Sequence, residues 1–194
     1  MESQPIYYPQ FYGDLKQVVF APQLYINTKQ TRETGKKDPY SQKIYFSKPK
    51  WKENHTNYFV PKMIDLFEKI KSNVPKPKFI LTLPSHEKDS KCSQTMVGVA
   101  QKLATHLKIE YVDALDRCKT IKKSTDTETV EERLKNVKDS LKVNNKFVEK
   151  LKQSDNVLIL DDVKTTGISM MEATKVLKEI GIKSVTCLAF GINA

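Results

Sequence analysis

Cysteine, histidine and tryptophan are scarce in these 194 residues, at three, three and one. Cys92, Cys118 and Cys187 are too scattered for a zinc knuckle and too few for a disulfide framework. Cys187 sits in the apolar run VTCLAF and reads as a small core residue, whereas Cys92 and Cys118 fall in polar stretches. No two histidines stand at ligand spacing, so no structural metal is expected. No apolar run approaches the length of a transmembrane helix, and MESQPIYYPQ lacks the apolar stretch of a secretory signal. The expected setting is therefore the cytoplasm, without a membrane partner. Also missing are the lysine-after-glycine pattern of a Walker loop, internal repeats, and any helix-turn-helix or other known nucleic-acid-binding motif.

What is present is an ordinary globular composition, 39% hydrophobic and 29% charged, with a net charge of +10. The length suits one domain, with room for a small appended lobe. The positive charge favours an anionic ligand, although a lysine-rich solvated surface accounts for most of the excess.

Residues 1–56 have weak periodicity, with QVVFAPQLYIN and SQKIYF reading as short strands and TKQTRETGKKDPY between them as a polar loop. They form an irregular β-rich lobe or hood. From residue 57 the pattern changes. NYFVPKMIDLFEKIK has helical spacing, FILTLP is a buried-type strand ending in the polar loop SHEKDSKCS, MVGVAQKLATHL is a helix and IEYVDAL a strand. Residues 117–136 read as a polar excursion with a short helix near TVEERLKN, DSLKV as a further strand, and NKFVEKLKQ as a short helix or loop. NVLILDD, ISMMEATKVLKEIG and SVTCLAF give strand, helix and strand, with Gly181 as the helix stop. Alternating strands and helices predict an α/β fold, with a central parallel sheet flanked by helices and residues 57–194 as its core.

Asp161 and Asp162 fall at the end of a strand of that sheet, where ligands of open parallel sheets bind. The backbone of Lys164–Ile168 then enters a helix whose first amides lack intrahelical partners and attract phosphate. Thr165, Thr166 and Ser169 add hydroxyl groups, and Gly167 lets the main chain approach closely. Two carboxylates suit the vicinal hydroxyls of a sugar. A bare Asp-Asp pair would read more simply as a cap with a solvated neighbour. The whole string, from apolar strand through Thr-Thr-Gly to helix, favours a ribose 5-phosphate.

VLILDDVKTTGISMMEATKVLKEIGIKSV resembles the phosphoribosyl-pyrophosphate (PRPP) loop and following helix of type I phosphoribosyltransferases. Upstream, FILTLPSHEKDSKCSQTMVGVAQKLATHL and DRCKTIKK…EERLKNV follow an order similar to the ComF-like branch. The resemblance implies a PRPP-dependent transferase in which Asp161 and Asp162 hold the ribose hydroxyls. Lys164, Thr165, Thr166, Gly167, Ile168 and Ser169 would hold the 5-phosphate, and the loop Pro84, Ser85, His86, Glu87 and Lys88 would meet the pyrophosphate. Residues 117–130 would be a flexible lid, from which Arg117, Lys119, Lys122 and Lys123 reach the leaving group. Lys88 and Arg117 thus join the two aspartates as expected catalytic residues. Mg2+ would travel with PRPP, with little direct protein ligation. Arg133 and Asn136 match the family pattern in a segment that serves structure or site. Thr165 stands where 6-oxopurine enzymes of the family carry an acidic base, and the zinc-binding cysteines common at the start of ComF-type chains are missing. A homodimer is compatible with the family. A non-catalytic PRPP or nucleotide sensor with a protein or nucleic-acid partner is the second reading.

Overall fold

A computed structural model describes residues 5–12, 15–35, 38–51, 53–123 and 129–193. Its main sheet begins with a hairpin, β1 (Ile6–Tyr12) and β2 (Leu15–Ala21), followed by the short β3 (Gln23–Tyr25). Two helices come next, α1 (Thr28–Thr34) and α2 (Pro39–Phe46). They replace the loop and strand expected of this stretch. Asn27 caps α1 in a capping box with Gln30, and Gly35, at φ 67°, stops it. Asp38 accepts hydrogen bonds from the Tyr40 and Ser41 amides while Pro39 opens α2 with its φ already helical. These end signals override the strand preference of the branched and aromatic residues in SQKIYF.

The amphipathic α3 (Thr56–Ile70) leads into β4 (Phe79–Thr82), α4 (Gln94–Leu107) and β5 (Glu110–Tyr111). Then come β6 (Leu115–Arg117), α5 (Val130–Val137), β7 (Leu141–Val143) and α6 (Asn145–Leu151). The chain closes with β8 (Asn156–Lys164), α7 (Ile168–Glu179) and β9 (Ser184–Asn193). Gly181, at φ 99°, follows α7 as the sequence predicts.

The sheet order is β1-β2-β9-β8-β4-β5, with β3 also pairing β9. Every pairing from β2 to β5 is parallel, and only β1 runs antiparallel to its neighbour. The α/β expectation therefore holds, with a mixed rather than wholly parallel sheet. β6 and β7 form a separate antiparallel ribbon. The strand expected over IEYVDAL is thus two, one in each sheet.

Each face of the sheet carries a core. On one side Phe59, Met63, Leu66, Val99 and Leu103 of α3 and α4 cover Ile80, Leu158 and Phe190, and Ile44 of α2 joins them. Phe59 and Phe190 stack with ring centroids 4.3 Å apart. On the other, Met170, Ala173 and Leu177 of α7 cover Leu81, Ile159 and Ala189, together with Leu115, Leu141 and Leu151. Burying branched residues on both faces is what makes β4, β8 and β9 read as unbroken apolar runs. The arrangement brings the carboxyl ends of β4 and β8 side by side, with Leu83 N–H donating to Leu160 O at 3.3 Å. Among the described residues, no helix is long and apolar enough to cross a membrane.

Candidate functional site

β8 runs on past the two aspartates to Lys164, so Asp161 and Asp162 lie within its last turn of pleat rather than after it. Asp161 opposes Ala189 of β9, and the next registered pair is Val163 with Gly191. One oxygen of each carboxylate is used locally. Asp161 Oδ1 accepts from Asp162 N–H at 2.8 Å, and Asp162 Oδ1 accepts from Val163 N–H at 2.7 Å. The remaining oxygens are left for other partners. Asp162 has one already in Lys48 Nζ, 3.9 Å from its Oδ2. Lys48 follows α2, and no motif in SKPK signals this role; only the packing of α2 on the sheet brings it here.

Burial raises the Asp161 carboxyl from the ordinary 3.8 to about 7, the charge of Asp162 adds to the rise, and Lys48 and Arg117 oppose it. Lys48 is shifted upward by Asp162 first of all. Lys164 is only 4% exposed, and desolvation lowers its ammonium to about 8. Its Nζ lies over the Tyr8 ring, 3.2 Å from the centroid.

Thr165–Gly167 turn the chain into α7. Gly167 is the N-cap residue, at φ 75° and ψ 1°, and no side chain caps the helix. A left-handed backbone here is what glycine permits. The first amides of α7 thus face a cleft of about 70 Å³. Thr165, Thr166, Gly167, Ile168 and Ser169 form one wall; Ile121, Lys122, Arg133 and Asn136 form the other; Asp161, Val163 and Lys164 contribute to its base. An uncapped helix start facing two basic residues is an environment for an oxyanion.

The second wall is held by small, definite contacts. Ile121, Val137 and Ile168 make a separate apolar cluster with Leu134, which seats α5 on the start of α7. The Asn136 amide imitates a strand partner: its Oδ1 accepts from Lys122 N–H at 3.0 Å and its Nδ2 donates to Lys122 O at 2.9 Å. Arg133 and Asn136, expected in a segment that serves structure or site, both line the cleft.

The expected pyrophosphate loop, Pro84–Lys88, follows β4 beside Asp161. It is stitched to the stretch after β6: Asp89 N–H donates to Arg117 O, Lys88 N–H to Thr120 Oγ1 and Ile121 N–H to His86 O, at 3.1, 3.0 and 2.9 Å. Residues 117–123 are therefore bound into the framework; 124–128, the middle of the expected lid, lie outside the described residues. Two expected catalytic side chains lie outside this cleft. Arg117 is 2% exposed, and its guanidinium donates to Ser85 O, Pro84 O and Ser140 Oγ, so its fork is occupied beneath the loop. Lys88 is exposed and does not line the cleft. Ser85 Oγ and His86 Nδ1 bond each other at 3.2 Å, and Glu87 turns outward with 68% of its side chain exposed. Among the described residues, no group of three or more His, Cys, Asp or Glu side chains could hold a metal ion.

A second, wider groove of about 330 Å³ lies in the N-terminal region between β3, α1 and α2. Tyr25, Tyr45 and Phe46 give it aromatic walls, and Arg32, Asp38 and Gln42 give it polar ones. Tyr25 and Tyr45 both lie within the electrostatic reach of Lys48, the partner of Asp162.

No protein-family model matches the chain, and no curated protein matches it significantly. Among solved structures, a purine phosphoribosyltransferase from Pyrococcus horikoshii Ot3 is similar at 18% identity and a TM-score of 0.42, over 71% of this chain and 75% of that one. An adenine phosphoribosyltransferase gives 15% and 0.41, over 77% and 89%. The allosteric regulatory enzyme of purine biosynthesis gives 16% and 0.39, over 62% of this chain and 23% of its own. Likeness at this level says nothing of substrate or reaction.

Proposed function

We propose that the chain is a PRPP-dependent phosphoribosyltransferase, of the ComF-like branch that its Arg133-x-x-Asn136-Val137 segment resembles. One observation carries the reading: Asp161 and the uncapped start of α7 border the same cleft, opposite Lys122 and Arg133. A 5-phosphate at Thr165–Ser169 leaves the ribose hydroxyls beside Asp161 and Asp162, whose second oxygens accept from them. The pyrophosphate then extends toward Pro84–Lys88 at the end of the adjacent strand. The acceptor, a planar base or small amine, occupies the aromatic groove of Tyr25, Tyr45 and Phe46.

In the reaction the bond from the anomeric carbon to the pyrophosphate oxygen breaks, and the leaving group keeps the electron pair. The acceptor nitrogen bonds that carbon, and its proton passes to the departing pyrophosphate or to water. Positive charge grows on the ribose, so ionised Asp161 and Asp162 beside it stabilise the transition state more than the ground state. A Mg2+ ion, held chiefly by the oxygens of PRPP and water with Asp161 and Asp162 beside it, would supply positive charge to the leaving group. Calorimetry with Mg-PRPP, beside a pyrophosphate-release assay over a panel of bases and amines, tests the proposal. Release with at least one acceptor is expected, and an absence of PRPP binding refutes it.

A second reading has its own support. Arg117, a cation expected at the leaving group, is instead buried with its guanidinium on the Pro84 and Ser85 carbonyls. A PRPP or nucleotide sensor needs the phosphate and diol contacts without a direct guanidinium contact. PRPP binding with no release over the whole panel favours the sensor.

A further inference from the structure

Arg117 is a buried cation that makes no ion pair. It is 2% exposed, and among the described residues no carboxylate lies within ion-pair distance of its guanidinium. Its three hydrogen bonds all go to neutral oxygens: Nε to Ser85 O at 3.0 Å, Nη2 to Pro84 O at 3.3 Å and Nη1 to Ser140 Oγ at 2.7 Å. Ser140 is itself fully buried. Leaving a charge in that position is costly, so plain stitching of two loops does not explain an arginine here.

The effect on the loop does. Described peptide bonds are trans, so each N–H points opposite to the carbonyl of the residue before it. With the Pro84 and Ser85 carbonyls drawn onto Arg117, the N–H groups of Ser85 and His86 point away from it. Among the described residues neither finds an acceptor in the protein, and both residues are only half-buried. Two successive unpaired N–H groups on one side of the loop can both donate to one anion. A cation behind the two carbonyls polarises these peptides in the sense that strengthens their donors. The far side of the loop is clamped where Ile121 N–H meets His86 O, and Glu87 points outward. Asp161 neighbours the loop through the Leu83–Leu160 bond between β4 and β8.

We infer that Arg117 is a positioning residue: it holds the Pro84–Ser85 backbone so that the Ser85 and His86 amides make an oxyanion seat for the pyrophosphate group of the ligand. The inference rests on the phosphoribosyltransferase or PRPP-sensor reading, and serves either. It replaces a guanidinium reaching directly for the leaving group with one acting through the backbone.

The test measures Mg-pyrophosphate and ribose 5-phosphate separately by calorimetry on the full chain. Wild type binds both. Arg117→Gln and Arg117→Lys, neither of which can span both carbonyls and Ser140, lose at least about tenfold in pyrophosphate affinity while ribose 5-phosphate binds as in wild type. Ser140→Ala, which removes one hold on the guanidinium without changing charge, loses a few-fold for pyrophosphate alone. It carries the test if the Arg117 variants fail to fold. Unchanged pyrophosphate affinity in the folded variants overturns the inference, as does an equal loss of both ligands, which marks Arg117 as merely structural. Wild type that binds ribose 5-phosphate but not pyrophosphate overturns the seat and leaves the cleft standing; wild type that binds neither overturns the PRPP reading itself.

Discussion

Replacing Asp161 by asparagine should stabilise the protein at alkaline pH while removing its ligand. Asparagine has the same shape and keeps an acceptor for the Asp162 N–H, so the substitution changes charge and little else. The folded carboxyl titrates at about 7 against 3.8 ordinarily. Between those values the native chain holds a proton that the unfolded chain has released. The stability this contributes is complete below the unfolded value and is lost as pH rises through about 7. At about 1.4 kcal/mol for each pH unit, the rise corresponds to a ceiling of roughly 4 kcal/mol above pH 8. Water reaching a half-buried group trims that to about 2–4 kcal/mol, or roughly 5–15 °C in melting temperature for a chain of this size. Urea unfolding of wild type and Asp161→Asn at pH 5 and pH 8.5 isolates the effect of Asp161 and the charges it touches, since groups remote from it cancel in the difference. The variant should exceed wild type by only about 1 kcal/mol at pH 5, by the larger margin at pH 8.5, and bind Mg-PRPP at least about tenfold more weakly. An equal stability difference at both pH values would refute the electrostatic account.

Lys48→Met removes a charge that favours ionised Asp161, so the pH at which Mg-PRPP affinity is half-maximal should move upward; an unmoved profile in calorimetry across pH 6–9 (about that span suffices) argues against the coupling. Gly98→Ala would set a Cβ 2.4 Å from Thr56 Oγ1, costing about 1–3 kcal/mol in urea unfolding, and Thr56→Ala in the same chain should return part of the loss. Gly167→Ala, at φ 75°, should cost about 1 kcal/mol and weaken ribose 5-phosphate binding, whereas intact affinity would show that the α7 start is not the phosphate site.

Legibility in the sequence followed how local the determining interactions are. β8 and α7 were readable because burial on both faces leaves an apolar run, the helix start needs a left-handed residue, and Gly181 marks its end. Asp161 with Thr165–Ser169 is contiguous in sequence, so it could be read as one string. α1 and α2 were missed although Asn27 with Gln30, and Asp38 with Pro39, were available as start signals; the aromatic and branched residues after Asp38 suggested a strand. Lys48 and the inward turn of Arg117 had no local sign. One depends on α2 lying against the sheet, the other on β6 passing beneath the loop after β4. Polar charged residues in a sequence read as exposed, and a guanidinium absorbed by carbonyls breaks that expectation.

The pairing of β2 and β3 with β9 has a consequence for how the chain acquires its shape. Gln17 of β2, buried against α7, bonds the Cys187 sulfur from 170 positions away. Until β9 has been made, neither the opening hairpin nor β3 has its parallel neighbour in the sheet. Helix α7 and the strands on either side of it are near neighbours in sequence and can assemble first, whereas the early segment must wait and close a very long loop. Topology thus predicts that this edge, with the groove proposed for the acceptor beside it, forms after the α7 unit.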